Sequence, residues 1–94
     1  MPVGLLTLHL RLPGCASLKD KRSQVKPILA RLRREFNLSV AEMDHLDAWR
    51  ETTIGCAVIC NDPTLAHQTL DSVARFVESH WPDCPIIDQI EELI

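Results

Sequence analysis

Hydrophobic and polar positions alternate near the start of the chain. From residue 6 to residue 12 every even position is leucine, whereas the odd positions carry Thr7, His9 and Arg11. A period of two is typical of a β-strand with one buried face. Pro13 and Gly14 follow directly and end the pattern. We therefore predict a first strand over residues 6–12.

A helical period replaces this alternation after the turn. Ser17 is a typical helix N-cap, and Asp20 follows three residues later in the manner of a capping box. Apolar residues then recur at spacings of three and four as far as Phe36, which gives the helix one buried stripe. The stripe keeps its phase across Pro27, so we predict one bent helix, kinked near residues 23–26, and not two helices.

The rest of the chain predicts three more strands and one more helix. The apolar phase of the second strand slips, which a β-bulge near Ala41 and Glu42 would explain. Asp62 and Pro63 form a strong helix start, as N-cap and first helical residue. The predicted elements are a second strand at 38–46, a hairpin connection at 47–51, a third strand at 52–60, a second helix from Pro63 to near His80, and a last strand at 86–94.

The order strand, helix, strand, strand, helix, strand predicts one domain over residues 1–94. Its fold class is α+β, a ferredoxin-like βαββαβ sandwich with a four-stranded antiparallel sheet and both helices on one face. A composition of 46% hydrophobic and 24% charged residues is that of an ordinary globular protein. The N-terminus has no basic region followed by an apolar run, and no window approaches the roughly 18 apolar residues of a membrane span. We predict a cytoplasmic protein that has no membrane partner.

Positive charge is concentrated in the first helix. Seven of the ten basic residues lie between positions 17 and 34, where Asp20 is the single acid. The rest of the chain contains three arginines and twelve acidic residues. The net charge of -3 is therefore the sum of a strongly basic segment and an acidic remainder. Such an asymmetry concerns the partners of a protein and not its fold.

Four short segments have a familiar combination of residues and spacing: 17–22 (SLKDKR), 34–40 (REFNLSV), 47–50 (DAWR) and 54–55 (IG). Together they resemble the YlxP-like family of small bacterial proteins of unknown function, and the resemblance runs from residue 6 to about residue 77. It implies a ferredoxin-like fold, association through strands or sheet faces, and genes often found beside those for translation and ribosome maturation. It implies no established activity, cofactor or catalytic residue. Pro27 departs from what the family leads us to expect at that position.

The cations at the start of the first helix lack a structural reason. Helix N-termini favour anions and disfavour positive side chains. We therefore predict a phosphate-binding surface for structured RNA or the ribosome, formed with the helix N–H groups by Lys19, Lys21, Arg22, Lys26, Arg33 and Arg34. The alternatives are a solvated face, a structural homo-oligomeric module whose basic helix meets an acidic protein partner, and a small-molecule-binding regulatory domain.

The outer face of the predicted sheet is apolar and has no aromatic residue on its first and third strands. Such a face suits oligomerisation better than base stacking, so we predict a homo-oligomer, in the first place a dimer. The candidate interface residues are Trp49, Arg50, His9 and Ile59, because a large aromatic beside arginine is common at interface centres. The main alternative for Trp49 is core packing.

Catalytic chemistry has little support in the sequence. The four cysteines include no Cys-x-x-Cys pair and the four histidines are scattered singly. Asp44, His45 and Asp47 are close in sequence, but alternate strand residues point to opposite faces. The chain also shows no glycine-rich phosphate loop and no nucleophile motif. We predict a protein that is not an enzyme and needs no metal or cofactor.

Overall fold

The computed structural model describes residues 2–94 and contains the six elements in the predicted order. Their bounds are β1 Val3–Arg11, α1 Leu18–Glu35, β2 Ser39–Asp44, β3 Glu51–Ile59, α2 Pro63–His80 and β4 Ile86–Leu93. All neighbouring strands are antiparallel, in the order β2-β3-β1-β4. The predicted ferredoxin-like fold is thereby confirmed.

The core lies between one face of the sheet and the two helices. Leu6, Leu8 and Leu10 of β1 are completely buried, while the odd positions of the strand remain partly open on the other face. The helices contribute Ile28, Leu32, Ala66, Leu70, Val73, Ala74 and Val77 to the same cluster. Both helices therefore cover one face of the sheet, and its outer face is left open.

The first helix is continuous through its proline. α1 runs unbroken across Pro27, which lies on the exposed side, where water can bond the carbonyl that the missing N–H leaves free. Ser17 Oγ accepts from the Asp20 N–H at 3.1 Å, and Asp20 Oδ2 accepts from the Ala16 N–H at 3.0 Å. The single helix and the capping by Ser17 and Asp20 are confirmed, whereas the kink stays a prediction.

The predicted bulge in the second strand is present, one residue further along than expected. The register of β2 against β3 shifts between Glu42 and Asp44, so Met43 is the extra residue. The Met43 side chain then lies over Gly55 on the outer face, where an added Cβ on Gly55 would be 2.7 Å from Met43 Cγ. Glycine is therefore needed at position 55, because a Cβ there would be too close to the Met43 side chain.

Neither helix within residues 2–94 is long and apolar enough to cross a membrane.

Candidate functional site

Five exposed cations follow the solvent side of α1, and we call them the cation stripe: Lys19, Arg22, Lys26, Arg33 and Arg34. At about 100° per residue they occupy an arc of about 120°, and at about 1.5 Å per residue they extend over about 22 Å. The buried residues of the helix, such as Val25 and Ile28, lie on the opposite side. The stripe is therefore not needed for packing.

The charge of the cation stripe is uncompensated in the part of the chain that the structure describes, because no member of it forms a salt bridge there. Within residues 2–94, Arg33 is the one member whose side chain is hydrogen-bonded to the fold, from its guanidinium to the Val40 carbonyl at 2.9 Å. Arg31 lies outside the stripe and is paired with Glu35 at 2.9 Å.

Lys21 does not belong to this exposed surface, although the sequence analysis placed it in the binding set. Lys21 is only 2% exposed. Its Nζ lies 2.8 Å from Glu42 Oε2 and also donates a hydrogen bond to the carbonyl of His45. The reason is helical phase, since Lys21 precedes the buried Val25 by four residues. The ammonium cannot reach an external phosphate without leaving these partners.

The N-terminus of α1 is occupied by the chain itself. The side chains of Ser17 and Asp20 accept backbone hydrogen bonds there, and Asp20 brings a negative carboxylate to the helix end. A phosphate at this position would meet that carboxylate. The cations consequently point to a surface along the helix and not to a pocket at its start.

The four candidate interface residues do not form one surface. Trp49 is 51% exposed in the β2–β3 connection, which argues against core packing, and the neighbouring Arg50 Nε donates to the Cys15 carbonyl at 3.3 Å. Ile59 is 65% exposed at the other end of β3, which extends over about 26 Å from Glu51 at about 3.3 Å per residue. His9 belongs to a different group of side chains.

Three side chains meet at one end of the outer sheet face, and we call them the histidine cluster: His9, His45 and Glu51. The Nε2 atoms of His9 and His45 lie 2.8 and 3.2 Å from Glu51 Oε1. The two imidazole rings are stacked, with centroids 4.5 Å apart and an interplanar angle of 5°. One potential ligand atom of each residue lies within 4.8 Å of the other two.

The loop after β2 holds His45 in place. His45 has a φ of 59°, in the left-handed region that residues other than glycine seldom adopt. Its N–H donates to Asp44 Oδ1 at 2.7 Å, and its carbonyl accepts from the buried Lys21 ammonium. Its Nδ1 lies 2.8 Å from Thr53 Oγ1. Lys21 is thus a positioning residue for the histidine cluster.

The cluster cannot be recognised from sequence neighbours, since the acidic neighbours of His45 are Asp44 and Asp47, neither of which belongs to it. His9 and Glu51 are 42 residues apart and meet through the pairing of β1 with β3, which sets His9 opposite Thr53. The pairing register of β1 with β3 would have shown that His9 and Glu51 are close, but no short sequence motif indicates it.

Three of the cysteines are held as neutral thiols. Burial raises the pKa of the Cys56 thiol to about 12, and burial also raises the pKa of Cys15 and of Cys84. Reactive cysteines need a lowered pKa, so these three are poor nucleophiles at neutral pH.

Comparisons with known proteins name a family but no activity. Residues 3–90 match DUF503, described as a protein of unknown function. The uncharacterized protein YlxP of Bacillus subtilis (strain 168) is 35% identical over 77 residues, which make up 82% of this chain and 84% of that protein. A dimeric ferredoxin-like protein of unknown function from Thermobifida fusca YX matches with a TM-score of 0.49 at 13% identity, covering 100% of this chain and 90% of that one. The resemblance to YlxP is confirmed, and this chain belongs to the DUF503 family of proteins of unknown function.

Proposed function

We propose that this protein binds the phosphate backbone of structured RNA through the cation stripe. The observation that carries the proposal is the stripe itself, five exposed cations on the side of α1 that faces away from the core. Within residues 2–94 no carboxylate pairs with them. The helix packs against the core through its opposite side, with Ile28 and Leu32.

Folding stability opposes this arrangement. Like charges three or four residues apart on a helix, such as Lys19 with Arg22 and Arg22 with Lys26, cost about 0.2–0.5 kcal/mol per pair. A polyanion removes that repulsion and releases its own counterions when it binds. The stripe is therefore better explained by an anionic partner than by a solvated face.

The shape of the stripe favours a nucleic-acid backbone over an acidic protein surface. The exposed residues among the cations include Ser23, Pro27 and Ala30, whose small side chains let the helix approach closely. A protein contact would be expected to add a large apolar anchor at its centre, and none of these three supplies one. A linear array of cations matches the repeating phosphates of RNA.

The positions of the aromatic residues favour recognition of folded RNA by its shape over stacking of single-stranded bases. Single-stranded RNA is usually bound by stacking its bases on exposed aromatics. Phe36 and Phe76 are half-buried and pack edge to face, with ring centroids 5.5 Å apart, and Trp81 is also half-buried. Trp49 lies in the β2–β3 connection and not on the stripe.

The test compares two triple variants of equal charge by fluorescence anisotropy with an RNA hairpin at low salt. The first is Lys19→Gln with Arg22→Gln and Lys26→Gln. The matched control is Arg11→Gln with Arg50→Gln and Arg75→Gln, which removes three exposed arginines outside the stripe. We expect the first variant to bind much more weakly than the wild type and the control to bind like the wild type. Equal weakening would mean that only net charge matters, and absence of wild-type binding would end the proposal.

A second candidate function is self-association through the outer sheet face. Ile59, Ile90 and Ile94 are exposed there beside Leu5 and Met43, and Leu5, Met43 and Gly55 line a groove of about 320 Å³. Exposed apolar patches commonly mark interfaces, and a two-fold contact would bury this patch on both copies of the chain.

Sedimentation of Ile59→Glu against Leu65→Glu tests this second candidate. Leu65 is also exposed but lies on α2, away from the outer face. A dimer is expected for the wild type and for Leu65→Glu, and a monomer for Ile59→Glu. A wild type that remains monomeric at micromolar concentration contradicts it.

A further inference from the structure

We propose that the histidine cluster binds a divalent transition-metal ion, with His9 Nε2, His45 Nε2 and a carboxylate oxygen of Glu51 as ligands. This site is separate from the cation stripe and does not depend on RNA binding.

The distances within the cluster suit such an ion. Zinc binds histidine nitrogen at about 2.0–2.1 Å and carboxylate oxygen at about 2.0–2.2 Å, so ligand atoms of a tetrahedral site are about 3.3–3.5 Å apart. The two Nε2-to-Oε1 distances are 2.8 and 3.2 Å. The two nitrogens fall within the 4.8 Å that encloses all three atoms. Binding requires the two stacked rings to rotate out of their parallel arrangement, so that both Nε2 lone pairs point at the ion.

The surroundings of His45 can orient its ring for coordination. A metal-binding histidine commonly donates its other ring N–H to a second group, which selects the tautomer. Thr53 Oγ1 is 2.8 Å from His45 Nδ1 and is placed for this role. A hydroxyl can donate as well as accept, so Thr53 supports His45 both with a proton on Nε2 and with Nε2 free for a metal.

The local charge also favours a cation. Asp88 lies opposite His9 on β4, and Asp44 adjoins His45, so two carboxylates accompany Glu51. Two cations also belong to this region: Arg11 of β1, which is opposite Glu51, and the buried Lys21, whose charge is offset by Glu42. The site is negative before a metal arrives.

Access and donor type define the class of ion. The side chains of His9, His45 and Glu51 are 25%, 35% and 41% exposed, so further coordination positions face solvent. Two imidazoles and one carboxylate with open positions are the donor set of catalytic zinc and of non-haem iron(II). The left-handed backbone of His45 agrees with a functional role, because such conformations concentrate at ligand sites.

The experiment titrates the metal-stripped full-length protein with Zn²⁺ by calorimetry and with Co²⁺ by visible absorption. We expect one ion per chain, and loss of binding in His9→Gln, His45→Gln and Glu51→Gln. Thr53→Val should retain the ligands yet bind about 10–100-fold more weakly, because the hydrogen bond that orients the His45 ring is lost. His67→Gln is the matched control, since His67 pairs with Glu91 at 2.5 Å on a different surface, and it should bind like the wild type.

Folding is checked separately by circular dichroism, and Zn²⁺ should raise the Tm of the wild type but not that of Glu51→Gln. Three results would overturn the proposal: a folded wild type that binds neither ion, binding that survives all three ligand substitutions, or a sulfur-to-cobalt charge-transfer band that assigns the ion to cysteine.

Discussion

Replacing Lys21 by methionine removes a buried ammonium while keeping most of the aliphatic stem. The ammonium lies 2.8 Å from Glu42 Oε2 and donates to the carbonyls of His45 and, at 3.5 Å, Leu46. The Glu42 carboxylate keeps only the Thr52 hydroxyl, which donates to it at 2.7 Å. The substitution therefore removes one donor from the carboxylate and one from each loop carbonyl, although the His45 carbonyl still accepts from the Ala48 N–H at 3.1 Å.

The expected cost follows from these contacts. Breaking a fully buried ion pair costs about 3–5 kcal/mol, and leaving a buried acceptor without a donor costs about 1–3 kcal/mol. The side chain of Glu42 is 22% exposed, so water recovers part of the loss, and the methionine gains apolar contact. We expect Lys21→Met to lower the free energy of unfolding by about 2–3 kcal/mol, a large share of the about 5–15 kcal/mol of a typical domain.

Urea unfolding followed by tryptophan fluorescence measures this change, with a shifted midpoint and an unchanged slope expected. Lys26→Met is the matched control on the same helix, and an exposed position should change by less than about 0.5 kcal/mol. Glu42→Gln completes a double-mutant cycle, in which the coupling should be at least about 1 kcal/mol. If Lys21→Met costs no more than Lys26→Met, the ammonium is not held inside the fold and this reasoning is refuted.

Two further predictions concern the sheet. Burial raises the pKa of the Cys56 thiol from 9.0, its ordinary value in the unfolded chain, to about 12 in the folded protein. Between these values the unfolded chain binds fewer protons, so the free energy of unfolding should fall as pH rises, by at most about 1.4 kcal/mol per unit. Urea unfolding of wild type and Cys56→Ala across that range should show the smaller slope in the variant, and equal slopes would contradict the assignment. Gly55→Ala should destabilise the fold through contact with Met43 Cγ, and adding Met43→Ala should restore part of the loss in the same assay. An additive double variant would show that the two side chains do not meet.

The elements of the fold follow from periodicity, because burial repeats with the geometry of each element. The leucines of β1 and the apolar stripe of α1 are of this kind, and the bulge appears as a slip of the same pattern. Lys21 was misplaced because its charge was considered without its helical phase, which sets it above Val25 on the buried side. Periodicity that predicts the core also predicts which cations are exposed, if it is applied to every residue.

The histidine cluster, unlike the helices and strands, depends on tertiary structure and not on periodicity. Its members come from β1, from the loop after β2 and from the start of β3, and their meeting depends on the β1–β3 register and on the backbone conformation of His45. Neither is encoded in a short segment. Strand order alone would bring His9 near the third strand, but the loop that carries His45 is positioned by the buried Lys21.

The dependence of RNA affinity on salt concentration shows whether the cation stripe contacts the phosphate backbone. Each phosphate neutralised on duplex DNA contributes about -0.9 to the slope of log K against log salt, so five cations predict a slope of about -4 to -5 if a duplex RNA behaves alike. Lys19→Gln with Arg22→Gln and Lys26→Gln should reduce the slope by nearly three units, while the control triple arginine variant should keep it. A wild-type slope near zero, or the same slope in all three proteins, would contradict binding of the RNA backbone by the cation stripe.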